Sequence, residues 1–176
     1  QNRIAYKEAN ANALSGKTKG ISVLTMATVG KHVLAGTALR VFAYDEKNGH
    51  LDQTFFRELF DSLPKPHQIN LNNMVGYDDE HLWLVSEHQV VSCRINNERI
   101  EVLAKSPLFK SVLGQGLKAG NHLYVSSEKG RLLRFEFGKP QPEIIRIPSP
   151  YFNYETKLAK LSDGNILLFM SGMHLA

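Results

Sequence analysis

Apolar residues in this chain fall into short runs separated by polar turns. They lack a sustained three-to-four spacing of an amphipathic helix, and no run approaches the roughly 20 residues that cross a bilayer. One pattern recurs. Tyr77 to Glu87 (YDDEHLWLVSE) is a polar turn ending in His81, followed by the apolar strand Leu82, Trp83, Leu84 and Val85. The same arrangement returns in KHVLAGT from Lys31, GNHLYVSSE from Gly120 and SDGNILLFMSG from Ser162. The equivalent residues His32, His81, His122 and Asn165 stand 49, 41 and 43 residues apart.

Self-similarity at this period, built from strands alone, predicts propeller blades and therefore an all-β fold of four-stranded antiparallel units. The units fall at about 20–63, 68–105, 111–148 and, incomplete, 154–176, within a single domain spanning 1–176. Residues 1–19 read as the end strand of a preceding blade plus a polar linker. In the first unit the expected strands are Ile21 to Thr28, Val33 to Gly36, Leu39 to Tyr44 and Leu51 to Phe56. Asp45 to Gly49 makes a good hairpin turn, since Asn48 and Gly49 tolerate positive φ. Thr54 to Leu63 reads alternatively as a short helix, with Phe55, Leu59 and Phe60 at helical spacing, and Pro64 and Pro66 end either element.

The second unit reads Ile69 to Tyr77, His81 to Glu87, Gln89 to Ile95 and Arg99 to Ala104. The third reads Ser111 to Gly120, His122 to Ser127, Arg131 to Phe137 and Glu143 to Ile147, and the fourth only Tyr154 to Leu161 and Asn165 to Gly172. Roughly three and a half blades result. Because the chain opens on Gln1 without an initiator Met, we expect a portion of a longer propeller. The remaining blades or a second copy would cover the apolar edge at Ile166 to Met170.

The second strand of each unit is apolar on both faces, Leu82 and Leu84 against Trp83 and Val85, or Ile166 and Leu168 against Leu167 and Phe169. A strand covered on one side alternates; burial on both sides is expected where each blade packs between two neighbours. Third strands alternate more, with Val41 and Ala43, Val91 and Cys93, Leu133 and Phe135 inward and Tyr44, Arg94 and Glu136 outward. Cys93 thus falls in a core slot and is expected to be a small packed residue rather than a reactive thiol.

Composition narrows the function classes. With 176 residues, 43% of them hydrophobic, the chain suits one folded domain. The formal charge of +4 is spread along the chain without a basic stripe, so no nucleic-acid partner is expected, although a general preference for polyanions stays open. The single cysteine excludes an internal disulfide and a Cys-based zinc site. His32, His81 and His122 hold the same place in three blades and so cannot converge on one metal unless they face the axis; no metal and no cofactor are expected. Asp78, Asp79 and Glu80 form the only acidic triplet, expected to be a solvated turn rather than a calcium or acid–base site. No local motif surrounds any nucleophile, so no catalytic residue is assigned.

The units resemble repeats of the two-component-regulator type of propeller, found in extracytoplasmic sensor regions of bacterial hybrid histidine kinases and some diguanylate cyclases. The likeness rests on Ile69, Asn70, Asp78, Asp79, Leu82, Trp83 and Leu84 in INLNNMVGYDDEHLWLVSE, and on Gly36, Thr37 and Leu39 in VLAGTALRVFAYD. Gly-Thr occurs in the first unit but is Ser86-Glu87 and Ser126-Ser127 in the next two, and Trp83 is the only tryptophan. WD-repeat and quinoprotein-like propellers share the spacing, although the Trp-Asp dipeptide of the former is absent.

The resemblance implies a binding face formed by the fourth-to-first and second-to-third strand connections. The candidates there are His67, Asn70, His88, Lys110, Lys129, Tyr151 and Tyr154. Aromatics, amides and a few cations suit a carbohydrate or other small, acidic molecule; alternatively Tyr151 and Phe152 simply pack over a blade junction. The implied role is a periplasmic or extracytoplasmic ligand sensor without enzymatic activity, connected to a membrane only through segments outside this sequence. A protein-interaction scaffold is the alternative, and a glycan-cleaving enzyme the third reading.

Overall fold

The computed structural model describes residues 25–36, 41–45, 50–52, 71–96, 99–149 and 151–169. The expected strand and linker at 1–19, the turn at 46–49, the alternative helix at 54–63, and His67 and Asn70 lie outside these residues. The described chain forms fourteen strands and no helix, so none crosses a membrane as a helix.

Three meanders of four antiparallel strands follow one another. The first is β1 (Thr25–Val29), β2 (His32–Gly36), β3 (Val41–Asp45) and β4 (His50–Asp52). The second is β5 (Leu71–Gly76), β6 (His81–Ser86), β7 (Val90–Asn96) and β8 (Arg99–Lys105). The third is β9 (Leu113–Ala119), β10 (His122–Ser127), β11 (Arg131–Glu136) and β12 (Glu143–Arg146), and a last pair is β13 (Lys157–Lys160) with β14 (Ile166–Phe169). First strands of successive sheets lie side by side, β1 with β5, β5 with β9 and β9 with β13. Sheets stacked face to face about their first strands are the blades of a propeller, here as a partial ring.

Local sequence sets the hairpins. Val29 pairs with His32 and Ala119 with His122, leaving the two-residue turns Gly30-Lys31 and Gly120-Asn121. Only the glycine of each has positive φ, 55° and 59°, which is the type II′ turn that suits strand twist. Gly30 is further constrained because a Cβ there would overlap the Asp79 carbonyl oxygen of the next blade.

Burial follows the two-faced pattern of the second strands. Leu82 and Leu84 enter a cluster with Val29, Leu34, Leu71 and Met74, between the first and second blades. Trp83 and Val85 enter the next, with Leu113, Leu123, Val125 and Phe135, between the second and third. These four β6 side chains have no exposed surface. Side chains also reach across to neighbouring backbone: Met74 N–H donates to Thr25 Oγ1 (3.2 Å), Gly116 N–H to Asn73 Oδ1 (3.0 Å), and Ser126 Oγ to the Thr156 carbonyl (3.0 Å). Arg94 and Glu136 face outward as expected.

The last pair departs from the sequence expectation. Leu167 and Phe169 are 40% and 55% exposed, while Ile166 and Leu168 are only partly covered, so β14 is not buried on both faces. Its apolar sequence matches β6, but among the described residues no sheet stands beyond it. Tyr151 and Phe152 divide as well: Phe152 packs at 2% exposure, whereas Tyr151 stays 58% exposed.

Two outcomes follow from this packing. Trp83→Ala is expected to cost about 3–5 kcal/mol in chemical denaturation, against a change within about 0.5 kcal/mol for the exposed Met26→Ala. Cys93 is fully buried, and that burial pushes its thiol up to about 12, with Lys105 opposing only in part. A thiol reagent at neutral pH should therefore leave the folded chain unlabelled and label one site per chain after denaturation; rapid labelling of the folded protein would refute the packed assignment.

Candidate functional site

The second-to-third hairpins and the blade-to-blade crossovers meet at one end of the sheets. In the second blade the hairpin Glu87–Gln89 is tied to the crossover that leads to β9. Phe109 N–H donates to the His88 carbonyl (2.8 Å) and Leu113 N–H to that of Glu87 (2.8 Å). Gln89, fully buried, donates through Nε2 to the Ser106 carbonyl (2.8 Å), and Ser106 Oγ accepts from Val90 N–H (3.0 Å). The third blade repeats the device, with Ile147 N–H donating to the Gly130 carbonyl (2.8 Å) and Gly130 N–H to that of Phe152 (3.3 Å). Buried polar groups satisfied in this way hold loops rigidly.

All five described candidates stand at this end. His88 is largely spoken for, its Nδ1 lying 3.1 Å from the Phe109 carbonyl oxygen. Lys110 is exposed on the crossover, beside Ser111, whose hydroxyl meets Ser127 Oγ of the next blade (3.1 Å). Lys129 is at the hairpin tip with φ of 60°, the one described non-glycine residue in the left-handed region. Tyr151 and Tyr154 are 58% and 37% exposed on the following crossover, and the Tyr154 carbonyl accepts from Ser126 Oγ (3.1 Å). These residues present cations and ring faces on a fixed backbone; His88 serves to latch it.

The opposite end carries the turns. Asp78 closes a tight turn: its Oδ1 accepts from the N–H groups of Glu80 and His81, both at 2.9 Å, and its two carboxylate oxygens lie 2.8 and 3.0 Å from His81 Nδ1. Burial raises the Asp78 carboxyl pKa, but the hydrogen bonds from Glu80 and His81 outweigh it and hold the group below 3.8. The acid thus forms part of a turn, as expected of its place between the first two strands of the unit. Nearby, Tyr77 stacks on Phe137 with ring centres 4.4 Å apart, and both meet Trp83 edge-on. The three repeated histidines are separate: His81 is held by Asp78, His122 contacts Tyr124, and His32 lines a cleft. Among the described residues, no three of His, Cys, Asp or Glu are grouped to hold a metal ion.

That cleft, about 940 Å³ and open to solvent, lies between the first and second blades and has Lys31, His32, Asp79, Glu80, Arg94 and Asn96 on its walls. Sequence reasoning did not single out Lys31, Arg94 or Asn96. The only available signal was that Arg94 breaks the apolar run of β7 while Asp79 and Glu80 exceed what a two-residue turn requires.

No family model and no curated protein matches the chain. Solved structures do. The extracellular domain of a hybrid two-component system from B. thetaiotaomicron is 13% identical with a TM-score of 0.64, over 85% of this chain and 20% of that one. The β-propeller domain of Cps50 (Swd1) from Myceliophteria thermophila is 14% identical with a TM-score of 0.60, covering 88% and 51%. The WD40 propeller of Doa1 is 13% identical with a TM-score of 0.62, covering 88% and 50%. The chain therefore spans about half of these last two propellers and a fifth of the sensor domain. The likeness is one of fold, and it establishes the β-propeller architecture.

The Asp78 turn has a pH signature. A carboxyl whose folded pKa lies below its ordinary 3.8 stabilises the fold above that value and loses this contribution as pH falls through the lower folded pKa. In acid titrations followed by circular dichroism, Asp78→Asn should flatten the loss of stability below pH 3.8 relative to the parent chain. An unchanged acid limb would show that the turn is not held by the carboxylate.

Proposed function

We propose that this chain is a non-enzymatic recognition module of a propeller sensor, binding a small molecule or glycan at the end where hairpins and crossovers meet. The observation that carries the reading is the pair of exposed cations, Lys110 and Lys129, and exposed rings, Tyr151 and Tyr154, on loops tied to the sheets by buried hydrogen bonds. Loops fixed on a rigid scaffold are where recognition concentrates. Ring faces stack on the CH faces of sugars, and lysines pair with acidic substituents. Signalling would then require the ligand to bind two arrangements of blades or subunits with different affinity. The extracytoplasmic setting is supported by the fold likeness to the extracellular domain of the B. thetaiotaomicron system.

A second reading has its own support. Leu167 and Phe169 expose an apolar face on β14, as an interaction scaffold would, and the Cps50 and Doa1 propellers are also similar in fold.

Titration calorimetry against a panel of neutral and acidic glycans, with product analysis of the same mixtures, separates the readings. Saturable binding without turnover is expected, weakened about tenfold, or 1.4 kcal/mol, by Tyr151→Ala or Lys129→Ala. Turnover would revive the enzyme, and absence of binding across the panel would favour the scaffold.

A further inference from the structure

The cleft between the first and second blades is at the end opposite the hairpin–crossover face and plays no part in the function proposed above. Its walls are built rather than draped. Gly30 brings the first blade's turn against the Asp79 backbone so closely that no side chain fits between them. The Tyr77–Glu80 turn is fixed by the Asp78 carboxylate from within and by the Glu80 carbonyl, which accepts from Ile95 N–H (2.7 Å), from the adjacent strand. Asp79, Glu80 and Lys31 thus project from backbone that has little freedom to move.

The charge pattern restricts what such a cleft can hold. Lys31 and Arg94 are cationic and Asp79 and Glu80 anionic, so the formal charges balance. A simple polyanion or polycation meets as much repulsion as attraction there. Glu80 and Arg94 approach each other (3.3 Å), but the Lys31 ammonium and Asp79 carboxylate, both on exposed residues, have no ion-pair or hydrogen-bond partner among the described residues. Among the described residues, then, the cleft holds one cation and one anion without a partner, an arrangement that suits a ligand bearing both opposite charges. Asn96 adds an amide whose Nδ2 is committed to Glu101 Oε1 (2.9 Å), leaving its Oδ1 to accept from a ligand N–H, and His32 adds a half-buried ring. The volume is at the upper end of the roughly 300–1,000 Å³ typical of small-ligand sites. A single amino acid would fill little of it; a peptide of a few residues fits its size, its amide partner and its paired charges.

We propose that this cleft is a binding site for short peptides with free termini, Asp79 receiving the N-terminal ammonium and Lys31, assisted by Arg94, the C-terminal carboxylate.

The test is titration calorimetry of the whole chain with trialanine and with its N-acetylated, C-amidated and doubly blocked forms. Free trialanine should bind saturably at millimolar concentration, and each single block should weaken it about tenfold or more. Asp79→Asn should weaken the free peptide but leave the N-acetylated form unaffected, and Lys31→Gln should behave likewise toward the C-amidated form. Both residues are exposed, and thermal melts will verify that the variants fold. Equal affinity for free and doubly blocked peptide, or no saturable binding to the folded parent chain, overturns the proposal. Free alanine binding as tightly as trialanine would overturn the peptide assignment. Glycan binding measured on the same variants should be unchanged, which keeps this outcome separate from that of the opposite face.

Discussion

Everything else in this molecule depends on one strand being buried from both sides. β6 sends Leu82 and Leu84 into one neighbouring blade and Trp83 and Val85 into the other, and none of the four retains contact with solvent. The gain is large enough to tolerate a defect. Among the described residues Trp83 Nε1 is buried without a hydrogen-bond partner, which costs about 1–3 kcal/mol. An aromatic ring burying roughly 150–250 Å² at about 25 cal/mol per Å² contributes about 4–6 kcal/mol. The ring wins, and edge-on contacts with Tyr77 and Phe137 at 5.1 and 5.2 Å add to its side.

Apolar packing alone would let sheets slide over one another. The bonds that prevent it run from side chains of one blade to backbone of the next: Thr25 to Met74, Asn73 to Gly116, Ser92 to Gly138 and Ser126 to Thr156. Each is a directional contact set into a surface that is otherwise non-directional, so it fixes register between blades. The ends of the blades inherit that register, which is why loops at one end and turns at the other can hold side chains in constant relation without secondary structure of their own.

The strands were legible because packing between blades makes the same demand on each sheet. Strand positions in the second and third units match the sequence reading to within about two residues, since a polar turn followed by a two-faced apolar strand has few other uses. Cys93 was legible for the same reason, lying in register with Phe135 of the next unit. What remained hidden is relational. Nothing in the local sequence says that Lys31 and Asp79, 48 positions apart, will share a cleft, because that follows from the angle at which two blades meet. Likewise His88 reads as a free loop histidine until the crossover carbonyl of Phe109 is placed beside it.

The fourth pair shows the limit of reading burial from composition. β14 carries Ile166, Leu167, Leu168 and Phe169, as apolar a run as Leu82 to Val85, yet its alternate residues stay exposed. The strand does not decide its own burial; its neighbours do. A strand that is apolar on both faces specifies a surface for a flat, apolar partner, and the interior blades show what such a partner is, namely another sheet bringing branched and aromatic side chains.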